Sequence, residues 1–214
     1  MIRVVEAIAT AAGGAAVASS AGGVVGLAVP AGVVGAVNGA VSGWRGIYDW
    51  RCASGAVAFV LDSSWALTTT AAAAGSHLVA LGTGGLDAGL SRRRNRHVYR
   101  RGFTPRRGFA VTLGNVVSGA GDTSVAARRE LVDDHEEVHI WQARLLGPLF
   151  PVVYLGWMVL SVPLAVVGWV RHRPEGGLLA AIDRCAYWRN PLEVHAYGRA
   201  HRLRATRATA AALR

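Results

Sequence analysis

No ionisable side chain occurs between Glu6 and Arg45, and residues 7–43 are small or aliphatic apart from Ser, Thr and Asn38. Small residues recur every fourth position, at Gly14, Ala18, Gly22 and Gly26 and again at Gly35, Gly39 and Gly43. On a helix this spacing builds a flat ridge that lets another helix approach closely, the packing mode of small-xxx-small membrane helices. Pro30-Ala31-Gly32 interrupts the ridge. As helices, residues 12–29 would rise about 27 Å and residues 31–43 about 20 Å, against a hydrocarbon core of about 30 Å. The segment is therefore one kinked spanning helix or a tight hairpin that does not fully cross. A flexible Gly/Ala-rich stretch is the plainer alternative. Trp44, Tyr48 and Trp50 follow beside Arg45 and Arg51, a pairing typical of an interfacial anchor. Ala16-Val17-Ala18-Ser19 resembles a cleavage site, but the flank before it is weakly charged and the apolar run continues past it, so a cleaved signal peptide is not expected.

Composition agrees with lipid. Hydrophobic residues make up 52%, mean hydropathy is +0.30, and the 17% of charged residues are clustered. The net charge is +10, and all 23 basic residues are arginine. Arginine without lysine reads as a high-GC bacterial genome. The positive surface still favours anionic headgroups, and nucleic acid is the less expected partner in so apolar a chain. Cys52 and Cys185 make no disulfide framework.

The chain divides by pattern into residues 1–54, the small-residue membrane segment with its aromatic and arginine anchor; residues 55–81, a second apolar segment long enough to span, carrying Asp62 and His77; and residues 82–214. Asp62 and His77 are expected near opposite headgroup layers. The polar centre carries Arg92-Arg93-Arg94-Asn95-Arg96, and His97–Phe103 and Phe109–Ser118 read as two short strands pairing as a hairpin. Thr123 or Ser124 is placed to cap a helix running from about 125 to 146 and stopping at Gly147-Pro148. Residues 145–170 are a third apolar segment, and the tail from 171 is basic.

The chemistry concentrates in His135-Glu136-Glu137-Val138-His139. Histidines four apart lie about 40° apart around a helix, so both imidazoles can grip one ion. Glu136, turned about 100° from His135, can reach a metal-activated water without binding the metal. The charged Glu137, Asp133 and Asp134 depart from the usual zinc-peptidase pattern, and an acidic helix face with two solvated histidines is the plainer reading of these residues alone.

His135-Glu136-Glu137-Val138-His139-Ile140-Trp141-Gln142, followed by Leu146-Gly147-Pro148-Leu149-Phe150 and later by Asn190-Pro191-Leu192-Glu193-Val194-His195-Ala196-Tyr197, resembles a family of uncharacterised bacterial membrane-associated zinc-metallopeptidase-like proteins with the pattern HExxHxxQ, LGPL, NPxExxAY. The resemblance covers roughly residues 92–200 and includes the strand Thr112–Val117. It implies a mainly α, membrane-associated, zincin-like fold with a small β-hairpin or sheet beside the HExxH helix. It implies Zn2+ held gluzincin-fashion by His135, His139 and Glu193, with Glu136 as general base. His195 is the competing third ligand, and Tyr197 stands where many gluzincins place an aspartate that orients a histidine. The strand is expected to hold an extended peptide or protein substrate, or else to be a plain core hairpin.

A topological expectation follows. If residues 145–170 crossed the membrane once, His139 and Glu193 would lie on opposite faces, because the charged link 171–191 is unsuited to spanning back. The third segment is expected to be re-entrant, interfacial or packed as an apolar lid. Eleven arginines between Arg92 and Arg144 and nine after residue 170 place both polar regions on the cytoplasmic face of a bacterial cell membrane. The expected function is a membrane-associated zinc-dependent metallopeptidase-like hydrolase. The alternatives are a zinc-binding pseudoenzyme and a non-enzymatic membrane protein that oligomerises through its small-residue segment.

Overall fold

The computed structural model describes residues 1–104, 106, 108–172 and 176–212. They are mainly helical, with one small sheet, and divide into two compact units, Met1–Pro148 and Leu149–Arg214.

The first unit opens with α1 (Ile2–Gly23) and α2 (Ala28–Arg45), an antiparallel hairpin. Of the two readings of the small-residue segment, the chain adopts the hairpin. Its ridges pack on each other: a Cβ on Gly35 would sit 2.2 Å from Gly14 O, and one on Gly39 would sit 2.1 Å from Thr10 O. The interhelical hydrogen bond from Thr10 Oγ1 to Gly39 O (2.7 Å) is possible only at such a separation. The glycines offered to another helix are thus taken up within the chain. Pro30 falls in the first turn of α2, where its missing N–H costs no intrahelical bond.

The segment 55–81 is not one helix. It divides into α3 (Ala53–Asp62) and α4 (Leu67–Thr83), with a turn at Ser63–Ala66. Ser63 and Ser64, followed by the bulky Trp65, fall at that turn, and Asp62 is held inward by ion pairing, so the apolar run is broken. After the short α5 (Ala88–Ser91) come β1 (His97–Val98), β2 (Val111–Leu113) and β3 (Val116–Ser118), in sheet order β1-β3-β2. The expected single strand 109–118 is itself a hairpin, β2 antiparallel to β3, and β1 joins β3 in parallel. Gly114 makes the turn: its φ is +54°, and a Cβ there would lie 2.4 Å from Thr69 O.

The helix expected over 125–146 is present in three parts. These are α6 (Ala126–Glu130), a π-helical stretch (Leu131–Glu136) and α7 (Glu137–Leu146). Its N-cap is Val125, not Thr123 or Ser124; Thr123 Oγ1 donates to Asp87 Oδ2 instead, and Ser124 bonds Asp122. Gly147 (φ +53°) ends α7 against the Trp65 ring, which leaves no room for a Cβ.

The second unit contains α8 (Leu149–His172), α9 (Gly177–Asp183), a π-helical stretch (Arg184–Trp188) and α10 (Pro191–Ala212). α8 is unbroken despite Pro163, and most of its apolar surface is exposed. Among the described residues, two helices are long and apolar enough to cross a membrane, Ile2–Gly23 and Leu149–His172. α9 and the π-helical stretch run back along α8, where Trp157 Nε1 donates to Cys185 O (3.0 Å). Leu178, Ala180, Ala181 and Ala186 give this stretch an apolar inner face, while Arg184 and Arg189 stay exposed.

Candidate metal centre

The π-helical stretch ends on His135 and Glu136, and His139 follows in the first turn of α7. Single π turns re-aim side chains and occur often at functional sites. His135 Nε2 and His139 Nε2 lie 3.2 Å apart. Two nitrogens bound tetrahedrally to one zinc at about 2.05 Å would stand about 3.3 Å apart, so the pair already has the spacing of two ligands. His139 Nδ1 is 2.8 Å from Gln142 Oε1. An amide oxygen only accepts, so Nδ1 carries the proton and Nε2 keeps its lone pair for an ion. Gln142, one turn beyond His139, fills the orienting role that Tyr197 cannot. Tyr197 lies within the second unit, near Tyr187 and stacked on Trp188.

Glu136 is 4% exposed, and its Oε2 accepts from Thr112 Oγ1 of β2 at 2.7 Å. This contact connects the sheet to the HExxH stretch. The neighbouring acids that made the motif atypical also have a structural partner. Arg96, fully buried, donates to Glu137 Oε2 (2.5 Å) and to Asp133, and its Nε donates to Leu90 O (3.2 Å). Asp133 and Glu137 therefore clamp the π-helical stretch to the residue before β1. In the same arginine run, Arg93 pairs with Glu6 (2.6 and 2.9 Å).

At the other end of α7, Arg144 meets Asp62 through two bonds of 2.8 and 2.9 Å, both side chains 1% exposed. Tyr48 and Asn115 also bond that carboxylate. Asp62 is thus a buried structural anion rather than a headgroup-level residue. Burial and the Asp62 charge raise the Tyr48 phenol above its usual range; burial pulls Arg144 down, but the charge and hydrogen bonds of Asp62, with Tyr48 and Glu137, together raise it. Nearby, His77 Nδ1 contacts Tyr99 Oη (2.7 Å) and Arg45 (3.3 Å), and His97 Nε2 contacts Ser42 (3.1 Å). Burial, then the Arg45 charge, lowers His77 to about 4; burial, then His77, Arg45 and Arg144, lowers His97 well below 6.5.

In the second unit Glu193 is 3% exposed, whereas His195 is exposed. Tyr154 Oη donates to Glu193 Oε1 at 2.7 Å. Asn190 Oδ1 accepts from Leu192 N (3.0 Å), capping α10, and its Nδ2 donates to Tyr154 O (3.3 Å). The distal motif therefore has a physical purpose: Asn190 starts the helix and ties it to α8, and Tyr154 fixes the carboxylate. His135 and His139 are buried in the first unit, and Glu193 is buried in the second. No family model, curated protein or solved structure matches the chain.

Proposed function

We propose that the protein is a membrane-associated, zinc-dependent metallopeptidase-like hydrolase, with His135, His139 and Glu193 as metal ligands and Glu136 as general base. The carrying observation is the imidazole pair, with its nitrogens 3.2 Å apart and the His139 tautomer set by Gln142. Support for Glu193 comes from within its own unit. The turn back along α8 returns it to Tyr154, in the second turn of a helix that starts shortly after α7 ends. His195 faces solvent on the same helix. Two imidazoles and one carboxylate are a donor set of catalytic zinc. Zinc held there supplies Lewis acidity, polarising a carbonyl and lowering the pKa of water.

Glu136, buried and held by Thr112, accepts the proton of the attacking water and delivers it to the departing amine. β2 lies at one edge of the sheet, with Thr112 bonded to Glu136, so an extended peptide adding to that edge would run past the base.

Metal analysis of the purified intact protein tests the reading. One zinc per chain is expected, lost in His135→Ala and kept in Glu136→Gln, with hydrolysis of an unstructured protein falling at least about 100-fold in Glu136→Gln. Sub-stoichiometric zinc indifferent to His135→Ala would reject the metal site. Full zinc with unchanged hydrolysis in Glu136→Gln would reject the base.

A further inference from the structure

We propose that the outer part of the α1–α2 hairpin is a re-entrant membrane anchor that enters one leaflet tip first and returns to the side from which it came. This rests on the hairpin alone and is independent of the metal reading. Gly13 and Gly14 of α1 lie beside Phe59 and Ser63. Beyond Gly14 and its partner Gly35, the glycines of the hairpin face the opposite helix or the tip: Gly32 lies against Ser19, and Gly22 against Ala31. Buried positions there are Ala18, Gly22, Ala31 and Gly32, and every other residue is partly or fully exposed.

What is exposed is apolar. Val24, Val25, Leu27 and Val29 at the tip are 87%, 69%, 56% and 78% exposed, and Val33 follows on the flank. Water is a poor environment for such a tip, and lipid is a good one. Lipid further demands that backbone and hydroxyl groups be satisfied from within. Gly26 N–H bonds Gly23 O and Leu27 N–H bonds Gly22 O, Pro30 has no N–H, and Ser20 Oγ donates to Ala16 O. All charges of the hairpin lie at its open end, where Glu6, Arg45 and the partner Arg93 gather beside the exposed rings of Trp44 and Trp50. That end matches the water interface.

Length decides between entering and crossing. The free portion, about nine residues of helix beyond Gly14, projects about 13 Å, close to one leaflet and well short of a hydrocarbon core of about 30 Å. Full insertion of α1 would instead drag Glu6 and its ion-pair partner Arg93 into lipid.

The test uses full-length Val25→Cys in a Cys52→Ser, Cys185→Ser background, reconstituted into phosphatidylglycerol/phosphatidylethanolamine vesicles. Position 25 touches nothing that folding needs. A membrane-impermeant maleimide is expected to leave it unlabelled in intact and in permeabilised vesicles, and to label it once detergent dissolves the bilayer. Labelling in intact vesicles would put the tip in outside water. Labelling only after permeabilisation would put it across the membrane or in the lumen. Either result overturns the proposal.

Discussion

At the scale of single residues, two kinds of buried polar group need different tests. Gln142 and Tyr154 are positioning residues: each holds a proposed ligand without donating to the ion. Gln142→Leu and Tyr154→Phe are each expected to weaken zinc by about 10–100-fold, as loss of an outer-shell partner does, read by competition with a chromophoric chelator. Unfolding midpoints of the metal-free protein should move little in Tyr154→Phe. Asp62 and Arg144 are a stability pair. Asp62→Ala leaves a buried guanidinium without its counter-charge and is expected to cost about 3–5 kcal/mol in denaturant unfolding, whereas Asp62→Leu with Arg144→Met together should cost less than the sum of the two single changes. A sequence reading reaches His135, Glu136 and His139 because their spacing is local. It could not find the partners of Arg96, Arg93 and Asp62, because the groups they bond are distant in sequence.

At the scale of elements, the hairpin depends on backbone contact rather than on large side chains. Gly39→Ala would push a methyl into Thr10 O, and overpacking of that kind is expected to cost about 1–3 kcal/mol. Gly75→Ala, mid-helix in α4 with open space at its Cβ, should instead be neutral or stabilise by about 0.5–1 kcal/mol. Equal losses in thermal unfolding for the two would argue against the close packing. The four-residue spacing of glycines was enough to predict intimate helix contact. It was not enough to tell one kinked helix from two, since Pro30 suits a first turn as well as a kink. The strand reading failed for a related reason. Apolar and β-branched residues flank Gly114-Asn115 on both sides, and that two-residue turn, with Gly114 left-handed against Thr69, makes the reversal within 109–118.

At the scale of the molecule, buried neutral histidines set the acid limit of stability. His77 and His97 bind a proton readily when unfolded but resist it when folded. Because their folded values lie below 6.5, stability is full above that pH and declines as pH falls beneath it. His77 contributes until about pH 4, and His97 contributes in the same direction well below pH 6.5. Urea midpoints are expected to fall steadily from pH 7 to pH 4.5. Replacing His77 by Asn should flatten the slope by up to one proton, and an unchanged slope would show that His77 titrates alike in both states.

The sequence by itself determined the local facts: a charge-free stretch of small residues spaced for close helix packing, a helix bearing two histidines four apart, and an apolar helix long enough to cross a membrane. Each follows from periodicity or spacing within a few turns of chain. Tertiary structure alone decided what the charges and the returns do. Arg96 clamps the acids that seemed to spoil the metal motif, Asp62 holds α7, and the link 177–188 folds back along α8 to bring Glu193 beside Tyr154. Those outcomes depend on which distant groups leave water together, and burial, ion pairing and chain reversal across many residues leave no periodic trace.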